Sequence, residues 1–300
     1  MNHLPLLIRR EFWEHRSFII APAIVAAILL IGMTFGHIEF GNTSLDLLGN
    51  PEFASKHYGI MTGVLSFVAL PYLISMGCLI VFYLLDSLYA DRKDRSVLFW
   101  KSLPVSDRET VISKLIVAAV VLPLMTFVAV LASNLMFGVI GSIRLSGSIE
   151  NIWSVVWLPR AWFSAHALLL YSLVVMILWY LPILGWLVLV SAWARRAVIL
   201  WAVLPPLALM FLEDVLFDTR YVAHLLRDRF IGWFNLAINT NAVAEHSMVL
   251  DGERIPMTAR LSDTLDPGHF FSSPGLWLGI VVAAGFIWGA ILLRRRYSET

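Results

Sequence analysis

The sequence predicts an all-α, polytopic membrane protein: a six-helix transmembrane bundle with an interfacial N-terminal helix and a helical outer loop. Of its 300 residues, 59% are hydrophobic and 14% are charged, whereas soluble domains average about 45–50% and about 25%. Six stretches contain no Asp, Glu, Lys or Arg, and a helix needs about 20 apolar residues to cross a bilayer. Lysine and arginine concentrate on alternate sides of these stretches. We therefore expect a single transmembrane domain over residues 1–300.

The predicted spans are residues 17–38, 57–88, 110–143, 161–194, 197–217 and 272–293. Prolines lie within the first four spans, at Pro22, Pro71, Pro123 and Pro182. In lipid, the backbone groups that a proline frees must be satisfied by neighbouring helices, so these bent helices indicate a packed bundle. The fifth span carries Pro205 and Pro206 in its middle, which predicts a kinked or a broken helix.

The positive charges give the orientation of the bundle. One side of the predicted membrane collects Arg9, Arg10, Arg16, Arg92, Lys93, Arg95, Lys101, Arg108, Lys114, Arg195, Arg196, Arg294, Arg295 and Arg296. The positive-inside rule makes this side cytoplasmic, and it therefore predicts that both termini are cytoplasmic. Residues 5–16 mix apolar residues with charges, which suits a helix in the headgroup layer; a basic stub that only sets orientation is the alternative.

Several classes of function are excluded by missing motifs. No lysine follows a glycine, so the chain has no G-x-x-x-x-G-K-[ST] phosphate loop. No charged residue lies near the centre of a span, which disfavours an ion relay. There is no H-E-x-x-H or G-x-S-x-G motif, and the single cysteine, Cys78, lies in an apolar run. With a net charge of +1, the chain also lacks the excess of basic residues that is typical of proteins that bind nucleic acids. We assign no catalytic, cofactor-binding or metal-binding residue and do not expect an enzyme.

The most informative segment is the loop between the second and third spans, residues 86–114, called here the coupling loop. Asp91 and Arg95 have the i,i+4 spacing that supports a helix. Val97 to Trp100 are apolar, which is unusual for a solvated connector, and Pro104 ends the helix. Ser106 and Glu109 have the spacing of a capping box, which predicts that a second helix runs from there through Lys114 into the third span.

The coupling loop resembles the cytoplasmic coupling region of the ABC type-2 permease family, the transmembrane subunits of ATP-driven exporters. The similarity consists of an acidic-basic run, Asp91 to Arg95, a Ser-Leu-Pro-Val-Ser turn, Ser102 to Ser106, and Lys114. Residues 179–196 are similar to the fourth helix of that family, which leaves the membrane at a basic pair. Six spans with both termini inside match it as well. The two motifs together cover about a sixth of the chain.

The resemblance implies that a separate soluble ATPase carries the missing phosphate loop, with ATP and Mg²⁺ bound there and no cofactor in this chain. It further implies two ATPase copies, a second permease copy or a related permease beside this one, and a bacterial inner membrane. The residues expected to contact the ATPase are Asp91, Arg92, Asp94, Arg95, Phe99, Trp100 and Lys101. The Met, Phe and Trp residues of the bent helices suit an apolar or amphipathic cargo; lipid-facing and packing residues of an ordinary bundle are the alternative.

Two alternatives stay open at this stage. In the first, the chain is a membrane scaffold of an ABC-type complex that acts on a periplasmic partner. In the second, it is an ion-driven secondary carrier. The connection over residues 213–273, called here the outer loop, bears on the first alternative because its apolar residues recur at near-helical spacing. We expect amphipathic helices there, forming either a cap over an exit or a purely structural lid.

Overall fold

A computed structural model of the protein describes residues 4–36, 54–93, 106–146, 152–239, 247–250, 253–256 and 261–296. The first elements are α1 (Leu4–Glu14), α2 (Ser17–Phe35), α3 (Ala54–Phe67) and α4 (Ala69–Lys93). They are followed by α5 (Asp107–Ile116), a π-helical turn (Val117–Val121), α6 (Leu122–Leu145), α7 (Ile152–Val156) and α8 (Pro159–Trp193). The last elements are α9 (Val198–Phe217), α10 (Tyr221–Ala237), β1 (Ser247–Leu250), β2 (Glu253–Pro256), α11 (Leu261–Thr264), α12 (Pro267–Ser272) and α13 (Pro274–Arg296).

Six helical segments are long and apolar enough to cross a membrane, which confirms the predicted all-α, multi-pass architecture. They are Ser17–Phe35, Tyr58–Lys93, Asp107–Leu145, Ile152–Trp193, Val198–Phe217 and Pro274–Arg296. Within the described ranges, the only strands are β1 and β2, which pair as an antiparallel hairpin in the outer loop. The chain is therefore a helical membrane protein with one small β-element.

The prolines affect the spans to different degrees. The second span is interrupted between α3 and α4, just before Pro71, whose ring removes a backbone donor and crowds the preceding turn. At this break the carbonyl of Leu65 accepts a hydrogen bond from the buried Asn134 side chain of α6, at 3.2 Å. A neighbouring helix thus supplies a hydrogen bond at this interruption, although the carbonyl that lacks a helical donor because of Pro71 is that of Phe67, four residues earlier. The fifth span, by contrast, is one uninterrupted helix through Pro205 and Pro206.

The spans differ in how much of their surface the chain itself covers. The fourth span, which contains α8, is central: half of its apolar window is buried, against only 6% in α2 and in α9. In α9 the buried residues are Val198 and Ala202, near its beginning. The first and fifth spans are therefore peripheral, and most of their apolar surface is left for lipid or another chain.

The outer loop is attached to the bundle through α10. The Arg229 guanidinium lies over the Trp179 ring, 4.4 Å from its centroid, and donates to the carbonyls of Trp179 and Gly275 at 3.2 and 2.7 Å. Burial lowers the pKa of this guanidinium from its ordinary value. Glu213 of α9 accepts hydrogen bonds from the first backbone N–H groups of α10, those of Tyr221 and Val222, each at 2.7 Å. The helix predicted in the outer loop thus packs on the fourth and sixth spans.

The Arg229 side chain of α10 packs directly on Gly279 of α13, where a β-carbon would lie 2.7 Å from Arg229 Nη2 and the guanidinium would have to move. We expect Gly279→Ala to displace the guanidinium and to lower the free energy of unfolding by about 1–3 kcal/mol, measured by thermal unfolding in detergent. Gly285→Ala is the matched control, since a β-carbon there meets nothing within 4 Å. It should be neutral or stabilising, because alanine favours a helix over glycine by about 1 kcal/mol. Equal melting temperatures for the two variants would contradict this packing.

Candidate functional site

The two ends of the coupling loop meet a buried group of charges at the end of the bundle that carries Arg9, Arg195 and Arg294, called here the basic end. This group, the ion-pair cluster, consists of Glu11, Asp91, Asp107, Lys114 and Arg294. Its residues come from four helices, α1, α4, α5 and α13. The site therefore joins the N-terminal helix, both ends of the coupling loop and the C-terminal helix.

Lys114 is the most deeply buried cation of the cluster. Its side chain is 2% exposed and its Nζ lies 3.0 Å from Glu11 Oε1 and 3.7 Å from Asp91 Oδ2. The residue lies in the last turn of α5, which begins at the predicted capping box: Ser106 Oγ accepts from the Glu109 N–H, and the Ser106 N–H donates to Glu109 Oε2. The capping box is thus confirmed, and it fixes the start of the helix that carries Lys114 into the cluster.

Arg294 connects the two ends of the coupling loop to each other. Its Nη1 donates to Asp91 Oδ2 at 3.1 Å, and its Nε donates to Asp107 Oδ1 at 3.0 Å. Asp91 lies near the end of α4 and Asp107 begins α5. One guanidinium therefore holds both flanks of residues 94–105, using the two-sided donor geometry that distinguishes arginine from lysine.

Glu11 is the carboxylate on which the N-terminal helix depends. It is 1% exposed and accepts hydrogen bonds from Tyr83 Oη at 2.9 Å and from Arg10 Nη2 at 2.9 Å, in addition to Lys114. A buried charge is tolerated only when opposite charges and hydrogen bonds replace its lost hydration. Glu11 meets that condition, and its contacts therefore hold α1 against α4 and α5.

Arg92 holds the second span to the fourth. Its Nη2 donates to the carbonyls of Ser191 and Ala194 at 2.6 and 2.8 Å, where α8 ends. The hydroxyl of Ser191 in turn accepts from the backbone N–H groups of Leu88 and Tyr89. An arginine that satisfies the last carbonyls of a helix also interacts favourably with its dipole. The start of the coupling loop is therefore attached to the central helix of the bundle.

These contacts bear on the residues expected to touch an ATPase. Asp91 is 9% exposed and lies inside the ion-pair cluster, and the contacts of Arg92 described above are to α8. Asp94, Arg95, Phe99, Trp100 and Lys101 lie outside the described residues. The two residues that can be placed thus anchor the loop, and contact with an ATPase stays a prediction for all seven.

Glu11, Asp107 and Arg294 were not predicted as site residues from the sequence. A signal was present, since Glu11 and Asp107 are carboxylates on the side where cations dominate. The Glu11–Lys114 and Asp107–Arg294 pairs, however, are separated by 103 and 187 residues along the chain, and a single sequence does not pair them.

The cluster is suited to holding helices together rather than to chemistry on a substrate. Its carboxylates pair with Lys114, Arg294 and Arg10. In the part of the chain that the structure describes, no three His, Cys, Asp or Glu residues are grouped as metal ligands. What the arrangement can do is pass a displacement of the coupling loop to three other helices, α1, α8 and α13.

No protein-family model, curated protein or solved structure matches the chain.

Proposed function

We propose that this chain is the membrane-spanning permease subunit of an ATP-driven exporter, with hydrolysis on a separate ATPase. The observation that carries the proposal is the anchoring of the coupling loop at both ends, through Asp91 and Asp107 on Arg294. A loop that receives a force from a partner must be fixed to the elements that it moves, because a loop on flexible ends would absorb the displacement.

The anchoring gives this loop a defined set of elements to move. Arg294 carries a displacement to α13, the Lys114–Glu11 pair carries it to α1, and Arg92 carries it to α8. Buried ion pairs of this kind are directional and resist sliding, since separating them strands a charge away from water. Movement of residues 94–105 by an ATPase would therefore change the packing of the bundle.

The first and fifth spans, α2 and α9, are covered only weakly by the rest of the chain, which agrees with an assembly of more than one permease. Only 6% of the apolar windows of α2 and α9 is buried within the chain. We infer that a second copy or a related permease packs near these helices, and that an apolar or amphipathic cargo passes between the two. ATP and Mg²⁺ are expected on the partner, because this chain has no phosphate loop.

The docking prediction concerns two aromatic residues. Phe99→Ala combined with Trp100→Ala should leave membrane insertion unchanged and weaken ATPase co-purification by about tenfold or more, since aromatic anchors often contribute about 2 kcal/mol or more each to an interface. Trp288→Ala is the control, because Trp288 is an exposed tryptophan on α13. Unchanged co-purification and nucleotide turnover in the double variant would contradict the assignment.

Orientation is tested by cysteines at positions 101 and 254 after Cys78→Ser. Impermeant reagents should label them from opposite faces of the membrane, with position 101 reached from the cytoplasm. Labelling of both from the same face would overturn the six-span topology.

The decisive experiment is purification of the tagged chain in mild detergent. We expect a stoichiometric ATPase to accompany it and to hydrolyse ATP. A chain that is isolated alone, and that transports in liposomes under an ion gradient, would instead be a secondary carrier. If deletions within residues 218–266 abolish binding of an outer partner while transport persists, the scaffold alternative is favoured.

A further inference from the structure

Asn134 of α6 and His166 of α8 form a polar pair inside the bundle, away from the basic end, since His166 lies near the beginning of α8. Asn134 is 1% exposed. Its Nδ2 lies 3.2 Å from the carbonyl oxygen of Leu65 and 3.3 Å from His166 Nε2. Its Oδ1 is buried and has no hydrogen-bond partner. Buried polar atoms are usually paired, so this oxygen calls for an explanation.

The neighbours of His166 determine where its proton lies. Nδ1 is 2.8 Å from the carbonyl oxygen of Trp162, which can only accept, so Nδ1 carries a hydrogen. Nε2 faces the amide nitrogen of Asn134, which can only donate, so Nε2 carries none. The carbonyl of Leu65 fixes the amide in this orientation, because it binds the nitrogen of Asn134 and would repel its oxygen. His166 is therefore neutral in this arrangement.

The imidazole ring of His166 is held in place by stacked aromatic rings. It lies on the indole of Trp162, with ring centroids 5.5 Å apart and an interplanar angle of 14°. Trp162 in turn lies on Trp157, with centroids 5.1 Å apart and an angle of 4°. An indole face attracts a cation within about 6 Å of its centre. The stack therefore favours a charged imidazolium, whereas the Asn134 amide opposes it.

The side chains that contact this ring from α6 are uncharged: they are Phe127 and Asn134. No carboxylate of the described residues lies within ion-pair distance of His166. The titratable groups toward α3 are Tyr58 and Arg160, and the guanidinium lies over the Tyr58 ring, 4.8 Å from its centroid. The contacts that act directly on a proton at His166 are thus the indole stack and the Asn134 amide.

We propose that Asn134 and His166 form a proton-operated switch that controls the contact between α3 and α6. A proton taken from solvent onto Nε2 points an N–H at the Asn134 nitrogen, and the two donors repel each other. A half-turn of the amide removes the conflict, because the unpaired Oδ1 then accepts from this N–H. The same half-turn brings the amide oxygen toward the Leu65 carbonyl, so the hydrogen bond between α6 and α3 is lost.

Loss of this bond frees α3 from α6. Leu65 lies in the last turn of α3, next to the interruption that separates it from α4. Beyond the interruption, the hydroxyls of Tyr72 and Ser133 share a hydrogen bond that the switch leaves intact, so α4 stays attached to α6. The half-turned arrangement accepts the added proton and the neutral one does not, so lower pH favours release of α3. This inference does not rest on the proposed transport function, because it needs no ATPase.

The test is hydrogen–deuterium exchange of the full chain in nanodiscs at about pH 7.5 and about pH 5.5, on either side of the ordinary histidine range, corrected for the intrinsic exchange rate. Protection of the amides of residues 60–70 should fall by about tenfold at the lower pH, as expected for one lost buried hydrogen bond. His166→Gln cannot take up a proton but can still accept from Asn134, so its protection should stay high at both values. His269→Gln, an exposed histidine of α12, is the matched control and should respond to pH as the wild type does.

Two further variants separate the proton from the hydrogen bond. Asn134→Leu nearly keeps the side-chain volume but removes the bond to Leu65, so protection of residues 60–70 should be low at both pH values. His166→Phe keeps a ring on Trp162 and takes up no proton, so its protection should not depend on pH. Protection that is independent of pH in the wild type would overturn the proposal, and so would a pH response that persists in both His166 variants.

Discussion

Lys114→Met is expected to destabilise the folded chain by about 3–5 kcal/mol, the loss typical of removing one partner from a buried ion pair. Methionine has nearly the length of lysine without its charge, so packing around the side chain is largely kept. What changes is that Glu11 loses a cation 3.0 Å away and Asp91 loses one 3.7 Å away. The variant thus tests how much the charge of Lys114 contributes to stability, since the side-chain volume is nearly unchanged.

The measurement is thermal unfolding of the purified chain in mild detergent, with Lys93→Met as the matched control. Lys93 ends α4 at the same end of the bundle but is exposed, so its loss should change stability by no more than about 0.5 kcal/mol. Adding Glu11→Gln to Lys114→Met should restore part of the loss, because the amide leaves no stranded negative charge. If Lys114→Met melts like Lys93→Met, the cluster does not stabilise the bundle.

The parts of the fold that could be predicted from the sequence are those with local causes. Charge-free stretches of membrane-spanning length predict the six spans because each helix satisfies its own backbone in lipid. The capping box at Ser106 and Glu109 was predictable for the same reason, since its two hydrogen bonds join residues three positions apart. Pro71 likewise predicted a bent helix in a packed bundle, but not that Asn134 would bind the Leu65 carbonyl beside the interruption.

The candidate site could be predicted only in part, because its contacts are distant along the chain. Glu11 and Lys114 are separated by 103 residues, and Asp91 and Arg294 by 203. The i,i+4 spacing of Asp91 and Arg95 predicted a short helix, but it did not indicate that Asp91 would be buried against Arg294. Local spacing describes one helix face, but it does not determine which other helix that face meets.

The outer loop illustrates the same limit. Its apolar periodicity predicted an amphipathic helix, and α10 is present. The attachment of α10, however, depends on Arg229 and Trp179, which are 50 residues apart, and on the absence of a side chain at Gly279. A cation held by carbonyls and an aromatic ring has no sequence signature that separates it from an ordinary exposed arginine.

The second large effect is expected at Arg294, where the proposed function and the structure meet. Arg294→Gln removes the guanidinium that holds Asp91 at 3.1 Å and Asp107 at 3.0 Å, so the two flanks of residues 94–105 are linked only by the longer Lys114–Asp91 pair at 3.7 Å. Because Phe99 and Trp100 are unchanged in this variant, we expect ATPase co-purification to persist. Stimulation of ATP hydrolysis by the permease should fall by about tenfold, since a displacement of the loop no longer reaches α13.

Graded replacements distinguish this coupling role from a general loss of stability. Arg294→Lys keeps the charge but offers a single ammonium to two carboxylates, so we expect intermediate stimulation. Arg296→Gln, an exposed arginine at the same helix end, should behave as the wild type does. The order arginine, lysine, glutamine should appear in ATPase stimulation measured in proteoliposomes at a temperature where all variants stay folded. If Arg294→Gln supports wild-type hydrolysis with normal docking, force does not pass through Arg294, and the coupling loop acts on the bundle through Arg92 and α8 or through the Lys114–Glu11 pair and α1 instead.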